Sequence, residues 1–250
     1  MHRAAAVLMM IAASPGALAY TAAELAAKNV DAKGGQDRLN AIQSLRLSGK
    51  VLVRGGTVEL RYSELVKRPH SIRYEAQLQG LTHVEAYDGA QAWQIDPFQG
   101  RKDPERLSAD DAKGLSEDAA DFAGVLVGYE AKGYKLDYLG TEDIDGTEAH
   151  KVRATRPNGD VSYVYLDPDH FLEVRVVERR IEHGVPNETI TDYADYEKVN
   201  GVYLPFARES WQKGSRERRK VQFDKAEANP AGGDGLFGFP APHGTTAPAK

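Results

Sequence analysis

The strongest constraint on this chain is alternation. Leu45, Leu47, Val51 and Val53 alternate with Arg46, Ser48 and Lys50. Beyond Gly55-Gly56, Val58, Leu60 and Tyr62 alternate with Glu59, Arg61 and Ser63, and Ile72, Tyr74 and Leu78 with Arg73, Glu75 and Gln77. Successive strand side chains point to opposite faces, so a period of two builds a sheet with one apolar face and one wet face. The theme returns over residues 136–139, 149–155, 161–166, 172–181, 189–196 and 219–223. Asp145-Gly146, Asn158-Gly159 and Asn200-Gly201 supply residues that tolerate the positive φ of tight turns. Strands that follow one another through such turns predict an antiparallel meander rather than βαβ units.

Two segments depart from this period. Thr21 and Glu24 have capping-box spacing, and Ala22, Leu25, Ala26, Asn29 and Val30 share one helical face that Gly34-Gly35 ends. Residues 36–42 add a short second turn offering Leu39 and Ile42 to the core. Residues 108–131 also read as helical: Ser108 and Asp111 suggest a cap, and Phe122, Val125, Leu126 and Tyr129 recur at helix spacing. Gly114, Gly124, Gly128 and Gly133 loosen or end these helices. This insertion reads equally as core helix or as a movable lid over an apolar cavity.

Residues 1–19 have the form of an export leader: Arg3, an apolar run from Ala4 to Ala13, a Ser14-Pro15-Gly16 break and a small-x-small Ala17-Leu18-Ala19. The run is too short to span a bilayer as a helix, and cleavage is expected after Ala19. Losing Arg3 makes the product one unit more negative than the −5 of the full chain. The chain has no Cys, which excludes a lipid anchor on a Cys, disulfides and thiolate-held metal. Residues 20–240 fit one domain. Residues 241–250, rich in Pro and Ala, are expected to be disordered, with Leu236-Phe237-Gly238-Phe239-Pro240 able to dock. The densest basic cluster, Arg216-Glu217-Arg218-Arg219-Lys220, reads as the solvated face of an edge strand, so no nucleic-acid partner is expected.

Reaction chemistry leaves little trace. The seven His are scattered without HxH or HExxH spacing, so neither a metal nor another cofactor is expected. Asp167-Pro168-Asp169-His170 reads as a turn between two strands. There is no GxSxG, P-loop or GxGxxG, and no catalytic residue is assigned.

Residues 65–98 carry the most specific pattern: a strand, an Arg68-Pro69 break, a strand, Asp88-Gly89, then a strand bearing Trp93 before Pro97-Phe98. Together with Leu139-Gly140, Asp145-Gly146, Tyr165-Leu166-Asp167 and Asn200-Gly201-Val202-x-Leu204-Pro205, this resembles the LolA-like family of periplasmic outer-membrane lipoprotein-sorting carriers. The resemblance implies a mainly β (α+β) fold: an open, incomplete antiparallel barrel with helices covering its concave side. It implies a monomeric, non-enzymatic periplasmic carrier of acylated lipoproteins or other lipids. An inner-membrane transporter and an outer-membrane acceptor would be its partners. Phe122, Val125, Leu126, Tyr129, Trp93, Ile72 and Tyr74 are then the candidate lipid-cavity and lid residues, with Trp93 otherwise filling the core. Arg68 stands where the family has an arginine that holds the lid and supports transfer. The carriers place a Phe four residues later, where this chain has Ile72. The alternatives are an envelope lipid or stress sensor on the same fold, or an envelope hydrolase with paired carboxylates or a His beside a nucleophile.

Overall fold

The computed structural model describes residues 20–240; the predicted leader and the tail from residue 241 lie outside them. Among the described residues thirteen strands form one antiparallel sheet. In chain order they are β1 (Ser44–Val53), β2 (Val58–Lys67), β3 (Ser71–Leu78), β4 (Leu81–Tyr87), β5 (Ala92–Asp96), β6 (Arg101–Arg106) and β7 (Lys135–Ile144). β8 (Thr147–Thr155), β9 (Val161–Leu166), β10 (Glu173–Glu182), β11 (Val185–Val199), β12 (Val202–Gln212) and β13 (Arg219–Ala228) follow. Their spatial order is β6-β5-β4-β3-β2-β1-β13-β12-β11-β10-β9-β8-β7. Every neighbour but one is a neighbour in sequence, as a meander requires. The exception, β1 on β13, brings the first and last strands together in the middle of the sheet. Opposite a bulge at Asp224 of β13, a Cβ on Gly49 would collide with the Gln222 carbonyl, so the close approach of β13 needs glycine there.

β6 and β7 are the free edges and do not pair with each other, so the sheet is an open half-barrel. Both edges are charged, and Pro104 in β6 withholds a ladder donor, which discourages pairing with another chain.

Helices cover the concave side. In α1 (Ala22–Ala32) the capping box forms: the Glu24 amide donates to Thr21 Oγ1 and the Thr21 amide to the Glu24 carboxylate. Its buried Leu25 and Ala26 pack with Val152, Val164, Leu166 and Val176 of β8–β10. α2 (Gln36–Ala41) seats Leu39, followed by Ile42, against Leu45, Leu47, Val202 and Phe206. α3 (Ala109–Ala120), capped by Ser108, lays Leu115 and Ala119 on Val66, Ile72 and Ala92. Each fully buried Leu or Val is worth roughly 1.5–3 kcal/mol, so these three contacts hold the helices to the sheet.

Four expectations need correction. The stretch read as one strand between Pro69 and Asp88 is two, β3 and β4, because Gln79 and Gly80 take φ of +50 and +81 and reverse the chain. β6 and β12 were not expected, since Arg101–Arg106 has no alternation and Pro205, Arg208 and Glu209 obscure it in β12. The basic cluster at residues 216–220 is not on an edge: β13 lies between β1 and β12. Finally, α3 stops at Ala120, and residues 121–133 are mostly successive turns rather than helix. The Asp167–His170 segment is the expected turn, its amides at Asp169 and His170 donating to Asp167 Oδ1.

Candidate functional site

The concave face encloses a cavity of about 720 Å³. Alternation places Leu45, Leu47 and Val51 of β1 and Leu60 of β2 on its apolar wall, beside Ile72 and Tyr74 of β3. Its cover is the segment that runs from edge β6 to edge β7: α3 followed by the turns at residues 121–125. α3 is tied to β3 by Tyr74 Oη, which donates to Asp118 Oδ2 at 2.9 Å.

The structure divides the predicted site residues. Ile72, Tyr74, Phe122 and Val125 line the cavity together. Leu126 and Tyr129 do not. Leu126 is 1 % exposed in the α1 core cluster, and both residues line a separate, smaller cleft under α1. The reason is backbone direction: Gly124 takes φ +112 and turns the chain away, so Phe122 and Leu126 lose the common face a helix would give them. A Cβ at Gly124 would strike Lys33 Nζ and the Glu173 carboxylate, so the turn is specific to glycine. Trp93 is likewise off the cavity. It packs with Val84, Ala86 and Phe239, and its Nε1 donates to the Phe237 carbonyl at 2.7 Å. An odd-numbered position in β5 points away from the face that holds Ala92. The docked tail covers that outer face.

Arg68 meets both the helix and the cover. Its Nε donates to the Ile42 carbonyl at 3.1 Å and its Nη2 to the Leu39 carbonyl at 3.3 Å. Its guanidinium lies 4.8 Å from the centre of the Phe122 ring, a cation–π contact. A second tether acts at the same turn: Lys33, paired with buried Glu173, donates to the Ala123 carbonyl at 2.7 Å.

Part of the wall, unanticipated from sequence, is charged. Glu64 of β2, Arg208 of β12, Arg219 of β13, and Glu178 and Arg180 of β10 all line the cavity. Parity could have found them. Glu64 shares its face with Leu60 and Tyr62, Arg208 with Val202 and Phe206, and Arg219 with Val221 and Phe223. Arg208 and Glu64 form an ion pair, and Tyr62 Oη donates to Glu64 at 2.8 Å. Burial is the largest influence and opposes the charge on Arg208, but Glu64 and Tyr62 together outweigh it and hold the guanidinium charged. Burial pushes the Tyr62 phenol up, with Glu64 adding to it. On β10, Arg180 binds Glu117 at 2.7 Å, Glu178 at 2.8 Å and Asp118 at 3.4 Å. Burial raises the Glu178 carboxyl to about 7 against the pull of Arg180, and raises Asp118 as well.

Arginine pairs with these acids, and they lie close enough for Asp118 to raise Glu178 further and for Glu64 to raise Asp118 further. His83, also on the wall, sits 3.6 Å from Glu85 and 3.5 Å from Asp96. Among the described residues no group of three potential ligands could hold a metal ion, and no helix is long and apolar enough to cross a membrane.

No protein-family model and no curated protein matches the sequence. The structure is similar to a LolA superfamily protein from Nitrosomonas europaea, at 14% identity, over 88% of this chain and 98% of that one, with a TM-score of 0.58. It is similar to a DUF1329 family protein from Desulfovibrio piger, at 13% identity over 87% and 95%, with a TM-score of 0.59. A structure described as an outer membrane lipoprotein-sorting protein domain, from Vibrio parahaemolyticus, matches at 12% identity over 85% and 97%, with a TM-score of 0.55. At such identities the likeness is one of architecture. The fold is LolA-like: mostly β, an antiparallel sheet left open, with few helices.

Proposed function

We propose that the protein is a periplasmic, non-enzymatic carrier that takes the acyl chains of a lipid or lipoprotein into the concave cavity and moves them towards the outer membrane. On this reading residues 1–19 direct export and are removed, residues 20–240 act as one monomeric carrier domain, and an inner-membrane donor and an outer-membrane acceptor are its partners. The observation that carries it is the apolar-walled cavity of about 720 Å³ under a cover that spans the two open edges. If a methylene is taken as close to a water in volume, about 30 Å³, there is room for roughly two dozen such groups. That suits one long chain or two shorter ones. Each buried methylene is worth roughly 0.8 kcal/mol, so a chain held there is stable away from a membrane.

Release requires a cover that opens at low cost. α3 commits only Leu115 and Ala119 among apolar residues to burial, and its remaining sequence is largely polar and small. Its remaining hold is polar, through Tyr74 and Arg180 on Asp118 and Arg180 on Glu117. Opening therefore exchanges hydrogen bonds and ion pairs for water rather than exposing a wide apolar seam, and Arg68 on Phe122 is a latch beside it. Mass spectrometry of lipid extracted from natively purified protein, with a transfer assay to acceptor vesicles, tests the reading. Co-purified acyl lipid that passes to the acceptor supports it; an empty protein that takes up no lipid ends it. Lipid bound but never released would favour the sensor alternative.

A further inference from the structure

The cavity is not uniformly apolar, and its polar residues are not all accounted for by one another. Arg208 gives one Nη to Glu64, but its Nε is buried without a hydrogen-bond partner among the described residues. Arg219 lies over the Tyr62 ring, 4.7 Å from its centre, and no carboxylate pairs with it among the described residues. Its neighbour Lys220, by contrast, is on the other face and paired with Glu209. β12 and β13 therefore bring two guanidiniums to one end of the wall against a single acid, Glu64. Ser210, opposite Arg219 in the ladder, and Thr191, opposite Ser210, add hydroxyls to the same wall. Lying on an aromatic face, Arg219 keeps in-plane N–H donors for carboxylate or phosphate oxygens, and Arg208, already paired with Glu64, adds a second positive charge beside it.

Resting on the carrier reading, we infer that the cavity selects an anionic amphiphile, whose carboxylate or phosphate headgroup is bound by Arg208 and Arg219 while its acyl chain lies against β1–β3. A wholly apolar cargo would press hydrocarbon on the Arg219 guanidinium, which no carboxylate pairs among the described residues, and that costs binding energy. A headgroup oxygen accepts from Arg219 instead, beside the charge of Arg208.

Displacement of a fluorescent fatty acid from the purified protein tests this with oleate, oleyl alcohol and lysophosphatidylglycerol as competitors. Oleate and lysophosphatidylglycerol should bind about tenfold more tightly than oleyl alcohol, the worth of one charge-assisted hydrogen bond. Arg219→Gln should erase that ratio, by weakening oleate and lysophosphatidylglycerol and not oleyl alcohol; Arg219 is exposed, so the fold should survive. Lys220→Gln, the same change of charge on the outer face, should preserve the ratio. Arg208→Gln strands Glu64, so Arg208→Gln/Glu64→Gln is the companion variant and should also lower the ratio. Equal binding of oleate and oleyl alcohol by the unaltered protein would overturn headgroup selection and leave the carrier reading standing. Failure to bind any of the three would remove both. Displacement of oleate by millimolar inorganic phosphate, with no change in oleyl alcohol binding, would assign the arginines to a free anion instead of a lipid.

Discussion

Glu178 shows what a single residue contributes on a wall that is both buried and charged. Its carboxyl is raised by burial to about 7, far above an ordinary glutamate. Between the unfolded value and 7 the folded protein holds a proton that the unfolded chain has released. Stability attributable to this group is therefore present at pH 4–5 and lost as pH rises through 7. Glu178→Gln should remove that slope. Urea unfolding at pH 5 and pH 8 should show the variant losing less stability than the unaltered protein between the two, by up to about 3 kcal/mol. Parallel curves would mean that Glu178 is already ionised at pH 5. Arg68 offers a second test at this scale. Arg68→Leu loses its bonds to the Leu39 and Ile42 carbonyls and the contact with the Phe122 ring, together worth on the order of 2 kcal/mol. It should lower the cost of opening the cover, so bound lipid leaves the protein sooner in the transfer assay. Normal transfer would take Arg68 out of the mechanism.

At the scale of elements, the cover has two parts with different jobs. α3 and Phe122 face the cavity, whereas Leu126 belongs to the core that α1 forms with β8–β10. Leu126→Asp should therefore unfold the protein, because an unpaired buried charge costs a large share of a stability of 5–15 kcal/mol, roughly. Phe122→Asp should keep the near-native circular dichroism and release bound lipid. Folded Leu126→Asp protein that had merely lost lipid would restore Leu126 to the lid. The docked tail is a separate element on the outer face: Phe237 and Phe239 shield Trp93. Truncation after Pro230 should redshift tryptophan emission without altering lipid affinity, since Trp93 is not on the cavity wall.

For the whole molecule, cavity size sets a length limit. Across a series of saturated fatty acids, each added methylene should tighten binding by roughly fourfold, about 0.8 kcal/mol, until the chain outgrows the enclosure. A dependence on length that is flat from the start would place the chain outside it. The sequence alone determined much of this. The period-two alternation and the Asp-Gly and Asn-Gly turns dictated an antiparallel meander, and the Thr21–Glu24 box dictated where α1 begins, because both depend on contacts within a few residues. The role of Ile72 and Tyr74 in the wall was legible for the same reason: strand parity assigns a face. Parity also held the positions of Glu64, Arg208 and Arg219, but a charged residue on an apolar face is easily read as solvated until its partner is known. That partner comes from distant chain: β2 supplies Glu64 and β12 supplies Arg208. Likewise β1 meets β13 only because the first and last strands of the chain come side by side in the middle of the sheet, and Leu126 parts from Phe122 only because Gly124 makes room for Lys33 and Glu173. Local chemistry chose the strands; which side chains share a cavity was decided by contacts between residues far apart in the chain, which no local pattern encodes.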